Sequence, residues 1–211
     1  YMNALQEQFS DLRYSNFIVQ FMPPIIFVCG GPMNALPMSV RDHIFTYVAG
    51  HNPSLSDSLV LAENFHDYFK DGAYSDLMSF EDDIANISTL VVICLESAGS
   101  LVELGLFVNK KSLAQKLHIV APLAEIEGNE EKKIPPRSSF IYLGPLEYLK
   151  RIDDASVSVY PWPKSESMKY DEVELIYHDI YSRLKRIKKT ERYNTENTGH
   201  LAILIYEIIL L

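Results

Sequence analysis

Glu103 lies in the stretch Ile93–Phe107, ICLESAGSLVELGLF, where an apolar run ends at Glu96, crosses a turn of small residues and enters a helical pattern. Two readings of Glu103 follow from the spacing. Ser100-Leu101-Val102-Glu103 fits the S/T-x-x-E capping box, in which the serine bonds the N3 amide and the glutamate reaches back to the cap. A carboxylate in a first turn is also held as an anion by the helix dipole. Such a group is a poor proton acceptor but stays available as a nucleophile or as a stabiliser of a cation, and the two roles can succeed one another when substrate arrives.

The surroundings favour chemistry. Gly99, between Ser97 and Ser100, leaves room for a sugar or phosphate to reach the backbone, and Gly30-Gly31 does the same after an earlier apolar run. Glu63 follows another such run, and Glu81 and Asp83 sit on the helical segment before Leu90. Each signal is weak alone, since a glycine pair is commonly a turn and a helical acid is commonly solvated. Together they outline a pocket for a ribose-bearing ligand.

The elements that must position these groups can be read from hydrophobic patterning. Ile25–Cys29, Ser58–Ala62, Leu90–Leu95 and Leu117–Pro122 are short, near-continuous apolar runs, as strands buried on both faces of a parallel sheet require. Ser139–Gly144 reads as a fifth. Ser39–Val48, Tyr74–Ile87 and Ser100–Leu113 show helical periodicity between them. The alternation predicts an α/β fold with a parallel five-stranded sheet flanked by helices, and in such folds ligands collect at the carboxyl ends of the strands. Ala124–Ser139 reads as an exposed loop. A boundary near Asp154–Lys169 divides a sheet domain, 1–155, from a second region, 156–211. That region holds a helix ending in the basic stripe Arg183–Arg192 and an apolar terminus, LAILIYEIILL, expected to be a buried helix cut off at the chain's end.

Composition narrows the classes. The 211 residues carry 47% hydrophobic and 22% charged residues and a net charge of −9, which argues against nucleic-acid binding by the bulk of the surface. No apolar run spans a bilayer, so no membrane role is expected. Cys29 and Cys94 sit in apolar strands and read as reduced core residues of a cytoplasmic protein. Without a CxxC pair or histidine spacing, no metal site is expected.

The strings FVCGG, Ser39-Val40-Arg41, LAENFHDYF, DLMSFEDDI, ESAGSLVELGLF with Asn109 after it, and RSSFIYLGPLEYLKR occur in this order. The pattern resembles the effector proteins of bacterial retrons, whose N-terminal domain is similar to nucleoside 2-deoxyribosyltransferases, a flavodoxin-like fold. The resemblance implies that Glu103 is the carboxylate that attacks or stabilises the anomeric centre, with Glu81 or Asp83 beside it. Gly30, Gly31, Arg41, Glu63, Ser97, Gly99, Ser100 and Asn109 would bind substrate, Arg41 by gripping a phosphate through its fork. The implied activity is cleavage of the N-glycosidic bond of NAD, as a substrate rather than a cofactor, by the toxic effector of an anti-phage system.

Control by an oligomeric complex with the retron reverse transcriptase and its msDNA, a DNA–RNA hybrid, is also implied. Arg183, Lys185, Arg186, Lys188 and Lys189 would touch the nucleic acid, at the helical start of a winged-helix-like DNA-binding region, incomplete in this chain. The family pattern carries proline where this chain has Ala98. An N-glycosidase or deoxyribosyltransferase acting on deoxynucleotides, and a non-catalytic nucleotide sensor in which Glu103 only caps its helix, remain alternatives.

Overall fold

The structure, a computed structural model, describes residues 13, 16–65, 74–126, 139–163 and 169–210. A short antiparallel ribbon pairs β1 (Ile18–Gln20) with β7 (Thr190–Arg192), Val19 facing Glu191. The main sheet is parallel throughout. It contains β2 (Ile26–Cys29), β3 (Leu59–Val60), β4 (Leu90–Cys94), β5 (Leu117–Pro122) and β6 (Val157–Tyr160), in the spatial order β3-β2-β4-β5-β6. The three central strands are buried along their whole length, which is why their sequences are continuously apolar. The strand order reverses between β2 and β4, leaving the crevice where open α/β sheets bind ligands.

Helices cover both faces. On one lie α2 (Leu77–Ile87), α3 (Ala98–Val108) and α4 (Glu147–Ile152), packing Phe80, Leu104, Phe107 and Leu149 onto Phe27, Ile93 and Ile119. On the other, α1 (Val40–His51) and α5 (Val173–Arg186) place Ile44, Val48, Ile176 and Ile180 against Val28, Val92 and Val120. Each such side chain contributes about 1.5–3 kcal/mol by leaving water. Side-chain caps fix the starts of the site-bearing helices: Ser39 Oγ accepts from Asp42 N at 3.0 Å, and an Asp76 oxygen accepts from Ser79 N at 2.7 Å.

Several expectations are corrected. Ser139–Gly144 is not a strand: Ser139–Ile141 and Tyr142–Leu146 are helical and lead into α4. The fifth strand is Val157–Tyr160, a half-buried edge whose alternating pattern lacks a continuous apolar run. The expected boundary at 155/156 falls just before this strand, and α5 beyond it fills the second face, so residues past 155 help to build the sheet's core. Ser100–Leu113 is two helices, α3 and a turn at Lys111–Ala114.

The terminal helix, α6 (Thr198–Leu210), is not buried. Only Gly199 and His200 are enclosed, while Ile205, Tyr206, Ile208, Ile209 and Leu210 are exposed. Among the described residues no helix is long and apolar enough to cross a membrane. The loop expected at Ala124–Ser139 begins with a helical turn at Leu123–Ile126, and its residues 127–138 lie outside the described part.

Gly199 is where α6 docks on α2, the helix that carries Glu81. A Cβ there would stand 2.5 Å from the backbone carbon and oxygen of Asn86. Backbone cannot swing aside as a side chain can, so Gly199→Ala should cost about 1–3 kcal/mol by overpacking. Urea denaturation at neutral pH checks this, and a variant as stable as the wild type would mean that α6 docks otherwise.

Candidate active site

Three carboxylates meet at the carboxyl end of β2. Glu103 comes from α3, Glu81 from α2 and Glu63 from the turn after β3. They line a cavity of about 180 Å3 together with Cys29, Gly30, Arg41 and Phe80. The cavity backs onto the β2 side of the sheet's reversal, at the strand ends where a ligand was expected.

Glu103 is not a cap. The capping box is one turn earlier: Ser97 Oγ accepts from Ser100 N at 3.1 Å, and Ser100 Oγ accepts from Ser97 N at 3.1 Å. Two overlapping frames, Ser97-x-x-Ser100 and Ser100-x-x-Glu103, compete in the sequence, and the earlier one closes the helix. Glu103 is thereby moved to the second turn, beyond the strongest pull of the amide dipoles. It is also not the dipole-stabilised anion expected. Burial, and after it the charge of Glu81, push its pKa up to about 7. The Cys29 thiol, itself pushed well up by burial, hydrogen-bonds to Glu103, and Oε2 of Glu103 is buried without a partner.

Glu81 is raised too, by burial first, and hydrogen-bonds to Glu103. Two carboxyl groups in such contact resist ionising together, so their titrations are coupled. Asp83, the alternative, is hydrogen-bonded to Tyr74 and does not line the cavity. Of the two candidate acids, Glu81 and Asp83, the structure brings Glu81 to the cavity of Glu103.

Arg41 is buried and its fork is occupied. Nη2 donates to Glu63 Oε1 at 2.7 Å and Nη1 to Oε2 at 3.3 Å, while Nε is buried without a partner. The partner carboxylate is half exposed. Burial tends to raise the pKa of Glu63, but the hydrogen bonds and charge of Arg41, with its own backbone, outweigh that and hold it below the usual range.

Gly30-Gly31 does not present an open cradle. Glu96, which the sequence placed only at the end of an apolar run, sits in it. Its Oε1 accepts from Gly31 N at 2.8 Å and Arg41 N at 3.1 Å, and its Oε2 from Val40 N at 2.7 Å. Ser97 and Ser100 act as structural ties, Ser97 Oγ donating to Gly30 O at 3.3 Å. Gly99 makes no close approach, and a Cβ there would meet only Ser97 Oγ at 3.7 Å. Asn109 caps the far end of α3, its amide on Gly105 O, away from the cavity. His66 and Asp67, neighbours of Glu63 in sequence, lie outside the described residues.

The basic stripe divides. Arg183 is buried, bonded to Asp153 and to the Gln115 carbonyl, so it is not free for a phosphate. Lys185 is exposed, with its ammonium 4.1 Å from the Tyr181 ring centre. Arg186 and Lys188 line a separate open cleft of about 600 Å3 with Lys116, Arg192, Glu191 and His200. Lys189 is half-buried, and its carbonyl receives the amide of Phe21.

Comparison with known proteins gives two findings. The family described as "STM3845 retron effector protein" matches residues 37–211. The chain is also 23% identical over 176 residues to the "Retron Ec86 putative ribosyltransferase/DNA-binding protein" of Escherichia coli, covering 81% of this chain and 53% of that protein. It thus spans about half the length of that curated relative. The family match takes in Arg41, Glu63, Glu81, Glu96 and Glu103, and over that extent the chain belongs to the STM3845 retron effector family.

Proposed function

We propose that the Glu103 cavity cleaves an N-glycosidic bond, with NAD as substrate and nicotinamide as leaving group, as the toxic arm of a retron defence system. The observation that carries this reading is the buried Glu81–Glu103 carboxyl pair in a cavity with Glu63 as a third acid and one cation, Arg41, already paired. An acidic lining suits the pyridinium ring of NAD, which is cationic before the bond breaks. When the C1′–N1 bond breaks, its electron pair passes to the ring nitrogen and neutralises it, so the leaving group needs no proton. The positive charge moves to the ribose, where a deprotonated Glu103 captures or stabilises it. Water then attacks C1′, breaking the C1′–O bond where Glu103 has captured it and returning that electron pair to the carboxylate, and the water's proton passes to the Glu81–Glu103 pair.

A cavity of about 180 Å3 takes the nicotinamide–ribose end, while whole-ligand pockets run to about 300–1,000 Å3. The adenylate half would therefore lie outside it. Control by the reverse transcriptase and msDNA is part of the same proposal. The relative's name includes DNA binding. In the cleft, exposed Arg186, Lys188 and Arg192 offer phosphate-backbone contacts, while Arg183 and Lys116, which also line it, are buried and already paired.

The test is nicotinamide release from NAD by the chain alone and with its cognate reverse transcriptase and msDNA. No release where the assembly is toxic in cells would sink the NAD reading. Base exchange onto a free acceptor base would point instead to transfer between deoxynucleosides.

The pH dependence carries a sign. Glu103 must be deprotonated to act, and its pKa stands at about 7. Below that value kcat/KM for nicotinamide release should rise about tenfold per pH unit, levelling off above it. A profile that falls above pH 7 would assign Glu103 as an acid and remove it as the cation-stabilising carboxylate.

A further inference from the structure

In doubly wound folds the first strand's glycine turn and the following helix N-terminus usually receive a substrate's phosphate. Here the corresponding amides, Gly31 N, Val40 N and Arg41 N, all donate to one carboxylate of the chain itself, Glu96. We propose that Glu96 is a resident anion that fills this cradle, excludes a substrate phosphate from it, and positions both walls of the Glu103 cavity.

The cradle is closed around its occupant. A Cβ on Gly30 would stand 2.8 Å from Glu96 Oε1, and one on Gly31 would stand 3.0 Å from Glu96 Cδ. A tetrahedral phosphate is larger than a planar carboxylate and cannot enter beside it. A negative charge on Glu96 repels a second anion as well. Any phosphate of the substrate must then lie elsewhere, and the ligand is oriented by its ribosyl end.

The same carboxylate ties two helices together. Through Val40 N and Arg41 N it fixes the first turn of α1, and with it the buried arginine that pairs with Glu63. Its own amide donates to Ser100 Oγ at 3.2 Å, inside the capping turn of α3. The helices bearing Arg41 and Glu103 are thus registered through one residue that does not line the cavity itself. Glu96 is a positioning residue, not a catalytic one.

Only the statement about where a substrate's phosphates lie rests on the glycosidic reading of the cavity. The test reads binding and stability instead of turnover, so the two can fail separately. Glu96→Ala leaves three amides facing a hole shaped for a small anion. Its melting midpoint should fall by about 5 °C or more. Formate or inorganic phosphate, against a chloride control of equal ionic strength, should restore it saturably, while the wild type does not respond. Glu96→Gln keeps an acceptor in the cradle and should recover part of the loss without a formate response.

A Glu96→Ala variant that melts like the wild type, or that ignores both anions, overturns the proposal. If that variant does not fold, the wild type decides it. The amide resonances of Gly31, Val40 and Arg41 should stay in place as inorganic phosphate is titrated, and saturable movement of these three would show a cradle open to phosphate.

Discussion

Glu103→Gln is expected to slow nicotinamide release from NAD by about 10^3-fold or more, and at the same time to raise the melting temperature at pH 8. The loss follows from removing a carboxylate that would act only as the cation forms, an effect of the kind seen when a nucleophile is deleted. The gain in stability follows from linkage. Burial, and after it the charge of Glu81, raise the pKa of Glu103 to about 7 in the folded chain, from near 4.5 when unfolded. The native state therefore holds this proton more tightly than the unfolded state. Its stabilising effect is complete below pH 4.5 and is lost as pH rises through 7.

At pH 8 the wild type carries a buried charge that glutamine does not have. Glu103→Gln should then be more stable by about 1–3 kcal/mol, with the gap shrinking towards pH 5. Melting curves at the two pH values check it. A variant that is inactive but equally stable at both would mean that Glu103 titrates normally in the folded chain. A variant that keeps its activity would return Glu103 to a structural role.

The second large effect concerns the Arg183–Asp153 pair. Asp153 follows α4, and Arg183 reaches it from α5 while also donating to Gln115 O at 3.0 Å. Asp153→Ala leaves a buried guanidinium without its counter-charge, a defect that costs about 3–5 kcal/mol. Asp153 is itself about one-third exposed, which places the expected loss near the lower end. Replacing both, as Arg183→Met with Asp153→Ala, should recover much of it, because then no lone charge is buried. Urea titration of Asp153→Ala, Arg183→Met and the double variant beside the wild type measures this as a double-mutant cycle. A loss under about 1 kcal/mol for Asp153→Ala would show a pair solvated like a surface one.

Arg183 also marks where sequence reasoning ran out. Bases in the last turn of a helix look alike whether they face solvent or a neighbouring element. Only the packing of α5 on the sheet shows that Arg183 is buried while Lys185 is exposed. The central strands were legible because burial on both faces leaves continuous apolar runs, and β6 was not, because an edge with one half-wet face leaves no such run. The terminal helix misled in the opposite sense, being apolar in sequence and exposed in the fold.

In the site, the meeting of Glu63, Glu81 and Glu103 was foreseen from their places at strand ends and on the preceding helix. The pairing of Glu81 with Glu103 was not, since Glu81 and Asp83 were both candidates and only helix rotation separates them. Nor could the glycine pair show that its anion is the chain's own Glu96. The signal was present, a carboxylate directly after a central strand, but its partners are more than fifty residues away in sequence.

The cavity wall that holds Arg41 in place hangs from the sheet's smallest strand. β3 is two residues long and pairs on one side alone, Leu59 with Ile26 and Val60 with Phe27, and the turn after it carries Glu63. So short an edge opens at a small fraction of the free energy that unfolds β4 and β5. Amide hydrogens near Leu59–Phe65 will exchange with deuterium by local opening, while those of the central strands wait for the whole sheet to unfold. A ligand that fills the cavity holds that edge shut, so occupancy will be recorded first as slowed exchange in this segment.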